Sequence, residues 1–171
     1  MLIESILAEL VRDFFGLDDD RVWIADQNRI IPKDTGLFAC VKMLWCNAKS
    51  NAQTFDASTK KVLQSVVMTG QVQVDLFSRD NSALQQYPFL IAMLRSPEAL
   101  ESMQINSYQI AQIPSEVSNV SSVVGSEEYY HYTIRFTCNW VVNKTESVNY
   151  YDTFEVEVGD ERKLPEFDIK S

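Results

Sequence analysis

Apolar residues recur every three or four positions at the start of the chain: Leu2, Ile3, Ile6, Leu7, Leu10, Val11 and Phe14, with Glu4, Ser5, Glu9, Arg12 and Asp13 between them. That spacing predicts an amphipathic helix packed by one face, with Gly16 as its stop. A short extended piece, Val22 to Ala25, follows and runs into the turn chemistry of Asp26 to Arg29 and Pro32. From Leu37 to Cys46 two largely apolar faces alternate, which predicts a strand that is central or covered on both sides. Asn47 to Ser58 is polar and reads as a loop or hairpin tip. Val62 to Met68 is β-rich, Gly70 marks a bulge or bend, and Val72, Val74 and Leu76 alternate with Gln71, Gln73 and Asp75 as a half-buried strand.

Asp80-Asn81-Ser82 offers capping side chains to a helix with Ala83, Leu84, Tyr87, Ile91 and Leu94 as its apolar face; Pro88 must kink or restart it. Ser96-Pro97-Glu98 is a second helix start, with Leu100 and Met103 as its buried positions. Tyr108 to Ile113 reads as a short strand and Pro114 to Ser122 as a Ser-rich mobile loop. The clearest period-two signal comes next. Tyr130, Tyr132, Ile134, Phe136, Cys138, Trp140 and Val142 share one face, and Tyr129, His131, Thr133, Arg135, Thr137 and Asn139 the other. Phe154, Val156 and Val158 complete the strands. The predicted order is α-β-β-β-α(α)-β-β-β, an α+β fold with a mainly antiparallel β-sheet flanked by helices. Residues 1-159 form a single domain and 160-171 a charged C-terminal tail.

Composition narrows the function classes. With 171 residues, 46% of them hydrophobic, the chain can bury a core of its own. Its 24 acidic against 15 basic residues give a formal charge of −9, a poor starting point for gripping phosphates or an anionic membrane. No apolar run reaches the roughly 18 residues of a membrane-spanning helix. The N-terminus lacks a basic region and carries Glu4 and Glu9, so it is not read as a signal peptide, and the protein is expected in the cytosol of the cell that makes it. Cys40, Cys46 and Cys138 are not a disulfide framework and read as small buried apolar residues; Cys40 and Cys46, six apart, would share a face of one strand.

Catalytic constellations are sparse. The single histidine, His131, lies on the polar face of the long strand and reads as an exposed or interface residue rather than a general base. Asp18-Asp19-Asp20 lacks the alternating spacing of a calcium loop and reads as a solvated charge run. Glu127-Glu128 and Glu155/Glu157 read as ordinary outward-facing strand residues rather than paired catalytic carboxylates. No phosphate-binding, dinucleotide-binding, zinc-protease or nucleophile-elbow motif is present. No catalytic, metal or cofactor-binding residues are assigned.

Three segments, taken in order, resemble the phage neck or tail terminator family. They are Val22 to Arg29 with Pro32, Gln73 to Ala83 running on to Leu94-Arg95-Ser96, and Tyr132-Thr133-Ile134-Arg135-Phe136 followed by Asn149-Tyr150-Tyr151-Asp152. The resemblance spans about residues 3 to 158. It implies a tail-terminator-like fold and a structural virion protein without enzymatic activity or cofactor. Such a protein forms a hexameric ring that terminates the tail tube and joins it to the head-side connector or stopper. The implied partners are other copies of the chain, the tail tube protein, the connector and, in contractile tails, the sheath. DNA passes through the lumen without specific binding, and no membrane is involved. The implied location is the virion neck, with the host cytoplasm during assembly. The candidate interface residues are Asp75, Arg79 and Arg135, which could equally be local ion-pair partners, and the loop residues Asn51, Gln53, Glu116 and Ser118. The alternatives are another head-tail joining or tail-completion protein, and a small cytosolic α+β ligand-binding or enzymatic domain.

Overall fold

A computed structural model of the chain describes residues 2–25, 34–124 and 127–147. The expectations for Asp26 to Pro32, the strand around Phe154 to Val158, the segment Asn149 to Asp152 and the tail 160-171 lie outside the described residues, as do the side chains of Glu127 and Glu128.

The opening helix, α1 (Ile3–Phe15), buries Ile3, Ile6, Leu7, Leu10 and Val11, the stripe its spacing predicts. Gly16 closes it in the left-handed conformation, φ 62°, which a glycine adopts without a Cβ clash. Strand β1 (Val22–Ile24) pairs in parallel with β2 (Phe38–Asp56), and β2 pairs antiparallel with β3 (Lys61–Ser78). Three short helices follow: α2 (Ser82–Gln86), α3 (Phe89–Leu94) and α4 (Pro97–Ile105). Pro88 separates α2 from α3, because proline removes an amide donor from a helix interior. The Ser96 hydroxyl caps α4 by accepting from the Ala99 N–H at 3.1 Å. The chain then forms β4 (Tyr108–Gln112), β5 (Ser118–Asn119), β6 (Ser122–Val124) and the long β7 (Glu127–Ser147).

The main sheet runs β1-β2-β3-β7-β4, with β5 and β6 paired to β7. It is antiparallel except for β1, so the expected α+β architecture is the one observed. One face carries the core. Ala39, Val41, Val72, Val74, Leu76, Ile134, Phe136 and Cys138 pack under α1 and the α2–α4 group, which contributes Ala83, Leu90, Met93, Leu94 and Ala99.

Several expectations are corrected. Asn47 to Ser58 is not a loop: β2 runs on to Asp56, and only residues 57–60 turn the chain. The polar composition that suggested a loop arises because this part of the strand is exposed on both faces. Residues 62–68 and 72–76 are one strand, not two. Gly70 marks no break in β3; the register shift nearest it is on β2, between Met43 and Trp45, opposite Val72 and Gln71. That bulge reverses the strand's parity: Cys40 lies beside Asp75 and Cys46 beside Gly70, so the two thiols face opposite sides. Pro114 to Ser122 is not a free loop but is stitched to β7 through β5 and β6. Leu100 is 55% exposed rather than buried; Ala99 takes the inward position.

Candidate interaction surfaces

The face of the sheet opposite the core is organised in rungs. Register aligns Phe38, Phe77 and His131, then Cys40, Asp75 and Thr133, then Lys42, Gln73 and Arg135. The first rung is aromatic. The Trp23 ring stacks on Phe77 at 6.0 Å between centroids, His131 lies 4.5 Å from Phe77, and the Arg21 guanidinium sits 5.1 Å above Phe38.

The second and third rungs are polar and connected. Asp75 is buried, and its carboxylate accepts from Gln73 Nε2 at 2.8 Å and from the Thr133 hydroxyl, with His131 Nε2 at 3.0 Å. The Arg135 Nε–H donates to Gln73 Oε1 at 2.7 Å, so Arg135 reaches Asp75 only through the Gln73 amide. Burial pushes the Asp75 carboxyl upward, but the hydrogen bonds from His131, Thr133 and Gln73 outweigh it and hold the group below its usual value. A carboxylate buried this far keeps its charge because three hydrogen-bond partners replace the water it has lost. Of the residues singled out in the sequence, Asp75 and Arg135 therefore meet indirectly. Arg79 stands past the end of β3, where its backbone N–H donates to the Thr35 carbonyl at 3.2 Å. Sequence reasoning did not connect Gln73, His131 and Thr133 with Asp75. Cross-strand register, set by the two long antiparallel pairings of β3 with β2 and β7, brings them together.

The second surface is an arm. Beyond Trp45, Thr69 and Asn139 the strands β2, β3 and β7 continue together to Asp56, Lys61 and Ser147. Residues 47–56 of β2 and 141–147 of β7 are exposed, and the start of α1, at Ile3 and Ile6, borders the base of the ribbon at Val141 to Asn143. Val62, Val66 and Val142 lie on the side continuous with the core, and Leu63, Val67 and Val141 on the other. Val142, expected in the core, is 49% exposed, at the edge of a cavity that Ile3 and Ile6 of α1 also line. Asn51 and Gln53 lie on the core-side face of this arm, next to Val66 and Gln64. The tip is tightly turned: the Asp56 carboxylate accepts from the Ser58 hydroxyl at 2.6 Å, the Thr59 hydroxyl at 2.8 Å and the Ser58 N–H at 2.9 Å. These bonds pull its pKa down to about 2.

The third surface is a groove of about 600 Å³ between α4 and β4, lined by Leu94, Leu100, Met103, Tyr108, Ile110 and Ile113 together with Arg95, Gln104 and Gln109. Leu100 and Ile105 stand exposed on α4 beside Glu98 and Glu101, which are exposed as well. Glu116 and Ser118 are exposed in the segment that β5 ties to β7 at Thr133.

Among the described residues no three His, Cys, Asp or Glu side chains are gathered to hold a metal ion, and no helix is long and apolar enough to cross a membrane. No protein-family model matches the chain, and no curated protein matches it.

Proposed function

We propose that the chain is the structural subunit of a phage tail terminator, a ring that caps the tail tube and presents a surface to the head-side connector. The observation that carries this reading is the arm. A ribbon of three strands with valine and leucine on both faces gains little stability alone, because isolated sheets need an apolar face covered. It is a surface shaped to be buried by another chain. A cyclic ring requires two different patches on each subunit, one to give and one to receive. The arm lies at one end of the sheet and the α4–β4 groove at the helical side, which supplies such a pair.

In this reading the protein is not an enzyme and needs no cofactor. Its partners are copies of itself in a ring of six, the tail tube protein, the connector or stopper and, in a contractile tail, the sheath. DNA traverses the lumen without specific contacts, consistent with a chain whose formal charge is −9. It would be found in the virion neck and, during assembly, in the host cytoplasm. The test is light scattering behind size exclusion over a wide concentration range, followed by electron microscopy of the protein mixed with purified tail tubes. Six-fold rings seated on tube ends support the proposal. Failure to bind tube ends overturns it, and binding to the head-side connector alone would favour a stopper or tail-completion role.

One observation favours a second reading, a small ligand-binding or catalytic α+β domain: the partly exposed His131 ring beside the buried Asp75 carboxylate. That reading requires His131→Gln to abolish activity or ligand binding. The terminator reading requires the same variant to cap tubes normally.

A further inference from the structure

We infer that the chain's own C-terminal segment, residues 164–169, docks in the groove between α4 and β4, with Glu166 and Asp168 set on Arg95. The docking stands without the ring reading. In a ring, where the same groove is offered to a neighbour, the docked segment is the latch that a neighbour must displace.

The lining defines the occupant. Leu94, Tyr108 and Ile110 are buried in the floor of the groove, and Leu100 is left 55% exposed at its side. A groove of about 600 Å³ takes a few large side chains. Arg95 is the charged residue of the lining; it is exposed, and its guanidinium has no partner among the described residues. Glu98 and Glu101 of α4 do not line the groove. Strand β4 ends the strand order and pairs with β7 alone among the described residues. On its other side the Ile110 N–H donates to Met103 Sδ at 3.4 Å, and a thioether is a weak acceptor. The groove therefore suits an extended segment that brings apolar side chains, a carboxylate and a backbone carbonyl for that N–H.

Residues 164–169, Leu-Pro-Glu-Phe-Asp-Ile, have those parts. Pro165 disfavours a helix at Leu164. In an extended run Phe167 and Ile169 share one side, while Glu166 and Asp168 share the other. The apolar pair enters the groove, and the two carboxylates stay at the level where the exposed Arg95 stands.

Reach selects this segment over the others outside the described residues. Strand β7 ends at Ser147, and its Trp140 lies opposite Tyr108 of β4. The way back from Ser147 to that level is about 23 Å, and the far end of the groove is about 35 Å away. Residues 148–163 span up to about 55 Å, so 164–169 arrives with slack and at an effective concentration on the order of millimolar. Residues 153–158 alternate apolar and acidic side chains too, but they could lie along the groove only with every residue stretched and no turn after Ser147. Residues 26–33 carry Arg29 and Lys33 against Asp26, the wrong sign for Arg95.

The test uses the full-length chain with a photo-reactive benzoylphenylalanine in place of Phe167, as a dilute mixture of isotopically light and heavy copies. Irradiation should join position 167 to residues 94–113 of the same copy, giving light–light and heavy–heavy products. Hydrogen exchange of 164–169 then reads the docking equilibrium without the photo-reactive group. Arg95→Glu should speed that exchange about tenfold, because like charges then meet at the groove. Glu166→Arg/Asp168→Arg, which alters no described residue, should do the same, and the two sets combined should restore slow exchange. The inference is overturned if no product forms, if the products lie outside residues 94–113 or join light to heavy, if either charge reversal leaves exchange unchanged, or if the combination fails to restore it. Protein that caps tubes but joins position 167 elsewhere would sink the docked segment and leave the terminator reading standing. A docked segment in protein that never caps tubes would do the reverse.

Discussion

Replacing Asp75 by alanine removes the hub of the polar network on the sheet's outer face, and its cost can be worked from the three partners. Gln73 and His131 are partly exposed and can turn to water, so losing the carboxylate costs them little. Thr133 is only 4% exposed, and its hydroxyl loses the carboxylate and keeps only the longer contact to His131 Nε2 at 3.3 Å. A buried donor left so poorly paired costs about 1–3 kcal/mol. The space vacated beside Cys40 and Thr133 adds about 1 kcal/mol. The sum, about 3 kcal/mol, divided by an unfolding entropy of roughly 0.36 kcal/mol per kelvin for 171 residues, lowers Tm by about 8 °C. Asp75→Asn keeps the volume and isolates the charge. Because the folded Asp75 pKa lies below its ordinary 3.8, the carboxylate's contribution is fully present above that value and is lost as pH falls from about 3.8 through the folded pKa. The assay is calorimetry or urea unfolding of the wild type and both variants from neutrality down to about pH 2. The difference between wild type and Asp75→Asn should shrink at the acid end. An Asp75→Ala penalty under about 1 kcal/mol, or a gap to Asp75→Asn that does not close in acid, would refute this account of the network.

Three further outcomes are expected. Gly70→Ala places a Cβ 2.8 Å from the Trp45 carbonyl oxygen and 2.9 Å from Met43 Sδ, and should destabilise by about 1–3 kcal/mol in urea titration despite the stiffer unfolded chain. Ser96→Ala deletes the hydroxyl that caps α4 and should lose about 1 kcal/mol in the same assay, with Ser96→Asp recovering most of it. A thiol reagent should label Cys46 in the native protein and reach Cys40 and Cys138 only on unfolding. Cys46 is exposed and the other two are buried, and burial pushes the Cys138 pKa up to about 12, so almost none of it is thiolate at neutral pH.

The sequence by itself determined the local elements wherever one face is buried and the other is wet. Helix α1, the capped start of α4, the break at Pro88 and the inward face of β7 from Tyr132 to Cys138 follow from periods of 3.6 and 2 and from the backbone chemistry of Ser, Pro and Gly. Only the tertiary structure decided the rest, for three reasons. A strand with both faces in water carries no hydrophobic alternation, so residues 47–56 read as a loop until their pairing with β3 placed Asn51 and Gln53 on an arm. A single inserted residue reverses strand parity, so the bulge between Met43 and Trp45 parted Cys40 from Cys46 although their spacing predicts one face. The Asp75 network joins residues 56 and 58 positions apart, a proximity set by the register of β3 on β7 rather than by any local pattern.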